Sequence, residues 1–114
     1  MGLSKAITLT GGWVTYATPP LMEKTDQEWV TLSGSINAGT LTDGTQIFVV
    51  PLGYLPLGGV SILRPVSTAT GLFTAELRID SSTGAVTIYG VSTYAGVHMD
   101  LNGIKYRANP YFDI

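Results

Sequence analysis

The chain has 114 residues and a mass of 12.1 kDa, enough for one domain, and it carries no cysteine. Disulfides, thiolate metal sites and thiol catalysis are therefore excluded, and a net charge of −2 gives no electrostatic reason to expect nucleic acid or an anionic membrane. Charged residues make up 12% and hydrophobic residues 45%, against a charged fraction of about 25% in an ordinary soluble domain, so part of so small a body is expected to meet other protein.

The opening MGLSKAITLT lacks the long apolar core and cleavage site of a secretion signal. The Ser after Gly2 falls at position 4, not at the sixth position that a myristoylation signal wants. Residues 1–10 read as an N-terminal segment or the end of a stalk, and residues 11–114 as a single β-sandwich head domain. No run of eighteen apolar residues exists, so membrane insertion is not expected. From there 14 Gly and 6 Pro punctuate short runs rich in Val, Ile, Thr and aromatics, which is strand composition. The expected strands are Trp13–Ala17, Leu21–Lys24, Trp29–Ile36, Gln46–Pro51, Val60–Leu63, Leu72–Ile79, Ala85–Val91 and Val97–Arg107, the last broken near Asn102-Gly103. No sustained helical stripe appears.

Three of these runs alternate. Val30, Leu32 and Ile36 oppose Trp29, Thr31, Ser33 and Ser35; Phe73, Ala75, Leu77 and Ile79 oppose Thr74, Glu76, Arg78 and Asp80; Val86 and Ile88 oppose Thr87 and Tyr89. Such alternation predicts half-buried antiparallel strands. Ser81–Gly84 reads as a tight hairpin and Asp43-Gly44 as another turn. The fold class is therefore all-β, an antiparallel sandwich or jelly roll. Ile47, Phe48, Val49 and Val50 are continuously apolar. Two readings fit that run: a strand whose second face is covered by a neighbouring subunit, or a central core strand.

The order of features resembles the C-terminal head domains of phage tail fibres and baseplate receptor-binding proteins. The residues that carry the likeness are GWVTYAT, EWVTLSGSINAGTLTDGTQIFVVPLGYLP, AELRIDSSTGAVTIYG and DLNGIKYRA. Within them stand a V-x-L-x-G-x-I strand (Val30–Ile36) and a G-T-x-I strand (Gly44–Ile47) that runs into a Gly-Tyr-x-Pro turn (Pro51–Pro56). An I-x-x-x-G-x-V hairpin (Ile79–Val86) and a closing L-x-G-I-x-Y strand (Leu101–Tyr106) follow. The match spans roughly Gly12 to Ala108; Leu55, where many relatives carry Arg, and the tail NPYFDI depart from it. The resemblance implies a homotrimer at a virion tail tip, or an extracellular fibre tip, that binds a host cell-wall or surface polysaccharide. Its other partners would be upstream fibre or baseplate proteins.

Signatures of catalysis are missing: the sequence has no G-x-S-x-G, no H-E-x-x-H and no P-loop. No cofactor or metal is expected, and the chain is not expected to be an enzyme. The one histidine, His98, lies two residues from Asp100, so both share a strand face, as groups ordered in a sugar site or as a solvated polar face. Glu23, Asp26, Glu28 and Asp43 fall in or near turns, which explains them without a glycosidase pair.

Aromatics are the better clue, because an exposed ring offers an apolar face to a sugar while Asp, His and Arg bond its hydroxyls. Tyr89, Tyr94 in the loop STYAG, His98, Asp100 and Arg107 form the candidate glycan-binding set. Trp13, Trp29, Ile47 and Phe48 form the candidate trimer interface. The leading function is a receptor-binding tip that recognises a glycan without chemistry. The alternative is a purely structural trimerisation domain of a phage or bacterial fibre.

Overall fold

The computed structural model describes residues 3–25, 27–37, 42–68, 71–91 and 97–109. In chain order the strands are β1 (Leu3–Ala6), β2 (Val14–Thr15), β3 (Leu21–Lys24), β4 (Trp29–Ser33), β5 (Ser35–Asn37) and β6 (Thr45–Val49). After a 3-10 turn (Leu52–Tyr54) come β7 (Val60–Thr68), β8 (Gly71–Ile79), β9 (Ala85–Tyr89), β10 (His98–Asp100) and β11 (Lys105–Arg107). All pairings are antiparallel. A four-stranded sheet runs β1-β3-β4-β11 and a seven-stranded sheet runs β2-β5-β10-β7-β8-β9-β6. The alternation read from the sequence is what fills the core: Val30 and Leu32 from β4, Ile36 from β5, Ala75, Leu77 and Ile79 from β8, and Val86 and Ile88 from β9 are buried.

The run Trp29–Ile36 is two strands, one in each sheet, bent at Gly34. The bend needs glycine: φ is +101°, and a Cβ there would stand 2.6 Å from the Pro20 Cα and 2.7 Å from the Pro19 carbonyl oxygen. The closing run makes the same passage, from β10 in the large sheet to β11 in the small one, at Leu101–Gly103. The two crossings lie against each other. Leu101 N–H donates to the Gly34 carbonyl at 2.8 Å, and Gly34 N–H donates to Asn102 Oδ1 at 3.0 Å. The sheets thus share one hydrogen-bonded corner, with the core between them.

Ile47 and Phe48, expected at a trimer interface, are both 0% exposed inside the chain itself. Their side chains leave no surface for a second copy, so the core-strand alternative is the one the structure has. The cause is a register shift in the β6·β9 pairing between Gln46 and Phe48. A bulge there lets two successive residues turn inward. Alternation resumes at once, with Val49 exposed and Val50 buried. Trp13, placed by the sequence at the base or between subunits, is also a core residue, 3% exposed. Phe73 keeps the face of Ala75 but is 42% exposed, because the β7–β8 hairpin runs on past the core. Residues 3–7, read as a segment apart, pack on the head: β1 pairs with β3, Ile7 is buried, and Ile7 N–H donates to the Pro20 carbonyl at 3.2 Å.

Candidate functional site

On the outer face of the seven-stranded sheet, the corner leaves a groove of about 430 Å³. Its polar groups include Ser35, Ser67, His98 and Asp100, and Val66 and Met99, whose side chains belong to the core, lie between them. Register explains the gathering: His98 pairs with Asn37 and Ser67, and Asp100 with Ser35, so these side chains project on one face. Pairing partners bring Leu72 into the same row through Ser67. Asp100 accepts the Asn102 N–H at 2.9 Å, which fixes the carboxylate at the mouth of the corner turn.

One wall is Tyr16, which the sequence reading did not single out. Its ring lies 4.3 Å from the His98 ring at an interplanar angle of 33°. It is exposed, and its backbone N–H is held by the Ser35 carbonyl at 2.9 Å. Ser35 Oγ accepts from Ala17 and Thr18 N–H at 3.0 and 3.1 Å, which presses the segment after β2 onto β5. No local period marks it, since residues 14–18 are all exposed after the buried Trp13. Arg64, also unforeseen, stiffens the groove from beneath. Its guanidinium donates to the carbonyls of Asp100 and Asn102 at 3.0 and 3.1 Å.

A second depression, of about 500 Å³, lies elsewhere on the same sheet and holds Tyr89. It is larger, but its chemistry is spent internally. The Arg78 guanidinium covers the Tyr89 ring at 3.9 Å and pairs with Glu76 at 3.1 Å. That pairing, with a hydrogen bond from Ser61, holds the Glu76 carboxyl below the usual carboxylate range. Asp80 is likewise lowered, by the backbone N–H groups of Thr83 and Ser82. The groove at His98 fits an external ligand better, because its ring faces and hydroxyls are not all paired among the described residues.

The candidate glycan set is therefore divided. His98 and Asp100 share the corner groove, whereas Tyr89 belongs to the other depression. Arg107 stands on the four-stranded sheet, paired in register with Trp29. Trp29 is half-buried, with Lys105 Nζ 4.8 Å and Arg107 Cζ 5.9 Å from its ring centroid. Tyr94 and Asp26 lie outside the described residues. Among the described residues no cluster of three His, Cys, Asp or Glu could hold a metal ion.

No family model matches the chain, and no curated protein does. The fold is two antiparallel sheets joined at one corner, with a groove on the outer face of the larger. A solved structure that the chain is similar to is the receptor binding protein (gp15) of Listeria phage PSA, with a TM-score of 0.72 and 22% sequence identity. The match covers 95% of this chain and 66% of that one, just under two-thirds of the neighbour's length. At that identity the likeness is one of fold, and it is the same class of protein that the order of sequence motifs resembles.

Proposed function

We propose that this chain is a receptor-binding head of a phage tail fibre or baseplate, which forms a homotrimer and recognises a host-surface glycan without cleaving it. The observation that carries the reading is the fold match to a phage receptor-binding protein over 95% of the chain. The corner groove supports it. Its volume of about 430 Å³ lies within the range of about 300–1,000 Å³ that small-ligand sites occupy. Tyr16 and His98 offer ring faces to sugar C–H groups, and Asp100, Ser35 and Ser67 offer partners for hydroxyls. Single-site affinity is expected to be weak, since each sugar hydroxyl exchanges water for protein partners; several copies per particle supply the avidity.

The test replaces Tyr16 and His98 singly by Ala, confirms unchanged oligomeric mass, and measures adsorption to host cells. A loss of about tenfold or more in either supports the groove, a few contacts being worth about 1 kcal/mol each and multiplied by avidity. Adsorption unchanged in both variants moves the reading to the structural trimerisation domain. A new reducing-end signal from polysaccharide incubated with the head would replace binding by hydrolysis.

A further inference from the structure

The chain has six Lys and Arg in 114 residues, and the structure accounts for most of them. Lys24 is buried on the Gly53 carbonyl and Glu28. Arg64 is spent on the corner carbonyls, and Arg78 on Glu76 and Tyr89. Lys5 stands on the edge strand β1. Lys105 and Arg107 remain, two residues apart on β11, and the only side-chain partner of either among the described residues is the Trp29 ring. Pairing places them together: Arg107 opposes Trp29 and Lys105 opposes Thr31, so all four project from the outer face of the small sheet.

The acid next to this ring in sequence is turned away from it. Glu28 has φ +67°, the one non-glycine residue with a positive φ among those described. A left-handed conformation costs a residue of this type about 1–2 kcal/mol and persists only where its surroundings impose it. Here the Thr25–Trp29 turn imposes it. Thr25 Oγ1 accepts the N–H groups of Gln27 and Trp29 at 3.3 and 3.2 Å, and Thr25 N–H donates to the Trp29 carbonyl at 2.9 Å. The result sends the Glu28 carboxylate inward to Lys24 at 3.6 Å and leaves Trp29 outside with two cations. Glu23 lies beyond Thr31 on β3 and makes no ion pair with either cation.

We infer that Trp29, Lys105 and Arg107 form a second binding site, on the small sheet, for an anionic saccharide: the indole face packs against the sugar ring and the two cations hold its carboxylate or phosphate. The inference rests on the glycan-recognition reading and adds a charge requirement and a second location to it. Arg suits a two-oxygen anion through its planar fork, and Lys adds a point charge beside it. Packing the patch against an apolar surface of a second copy would strip both cations of water with no anion to repay the cost.

Tryptophan emission reads the site directly, because Trp13 is buried and Trp29 is the accessible indole. The intact chain is titrated with tetragalacturonate, with glucose 6-phosphate and with neutral maltotetraose. At least one anionic probe is expected to shift the emission while maltotetraose does not; the pair of anionic probes separates carboxylate from phosphate. Raising salt from about 50 to about 500 mM should weaken the response severalfold, as it must for exposed charges. Lys105→Ala with Arg107→Ala should weaken it about tenfold or more, each exposed charge-assisted contact contributing a few-fold and the two adding. Lys5→Ala, which removes a cation elsewhere, should leave it unchanged, and Trp29→Phe should abolish the optical signal. Silence of both anionic probes up to about 10 mM, a concentration that fills a millimolar site almost completely, overturns the inference. So does an equal response to maltotetraose, an undiminished response in the double variant, or a changed oligomeric mass in it. Host adsorption is measured in parallel: wild type that adsorbs while the probes stay silent sinks this site alone, and wild type that fails to adsorb while the probes bind sinks the receptor reading alone.

Discussion

Lys24 is a charged side chain that is 3% exposed, a position that only specific partners make tolerable. Its ammonium donates to the Gly53 carbonyl at 2.8 Å, lies 3.6 Å from Glu28 and 5.5 Å from the Tyr54 ring centroid. It therefore clamps β3 to the 3-10 turn across the end of the core. Lys24→Ala is expected to lower stability by about 3 kcal/mol, the usual cost of breaking a buried pair from one side; Lys24→Met with Glu28→Gln should recover much of it. Urea midpoints of the three proteins check this. Asp80 acts at the surface. Two backbone N–H groups of the Ser81–Gly84 hairpin, those of Thr83 and Ser82, hold its carboxyl below the ordinary value of 3.8. A folded value below the unfolded one stabilises the fold above pH 3.8, and the benefit is lost as pH falls through the lower folded value. Asp80→Asn should thus lower the urea midpoint at pH 7 and make progressively less difference as the pH falls below 3.8 and the folded carboxyl is protonated. A difference that stays constant as the pH falls would count against the carboxylate. At this scale the sequence was partly legible. His98 and Asp100 were placed correctly on one strand face, because spacing by two is a local fact. Tyr16 escaped notice, because its contact with His98 runs between strands more than eighty residues apart, and β2 is only two residues long.

At the level of elements, alternation marked the strands well, and their ends less well. Val30, Leu32, Leu77, Ile79, Val86 and Ile88 lie in the core as their spacing requires. The bulge at Ile47 was not legible, because an apolar residue at a bulge and an apolar residue on a covered face look alike in sequence. Gly34 was visible as a motif glycine, yet its function as the corner depends on Pro19 and Pro20 arriving from another element. That closeness yields a prediction. Gly34→Ala meets both a positive φ and backbone atoms that cannot move aside, so it is expected to destabilise by about 3 kcal/mol or to prevent folding. Gly58→Ala, where a Cβ would meet nothing within 4 Å, should change stability by less than about 0.5 kcal/mol. Thermal melts of the two variants, compared with wild type, decide it.

For the molecule as a whole, the extents of 42 × 25 × 20 Å describe an elongated body, and apolar side chains are exposed along the β7–β8 hairpin. Leu63 and Leu72 are 70% and 79% exposed, more than a lone soluble body of this size needs to leave in water. These leucines, unlike Ile47 and Phe48, leave apolar surface in the single chain. If the head is a homotrimer, Leu63→Asp should shift it to a monomer without unfolding it, because the side chain supports no core contact in the single chain. Light scattering on wild type and variant checks both parts; a wild-type mass near 12.1 kDa removes the trimer outright.

The shared corner also sets the order in which this molecule can become competent. The hydrogen bond from Gly34 to Asn102 joins positions 68 residues apart. Closing so long a loop is entropically late, after local hairpins such as β7–β8 and β8–β9 have formed. Yet Gly34, Ser35, Asp100 and Asn102 all line the groove, so its walls exist only once that closure is made. An incompletely folded chain has strands and hairpins but no corner groove. If the groove is the receptor site proposed above, binding reports completed folding, and an incompletely closed chain fails to bind rather than binding wrongly.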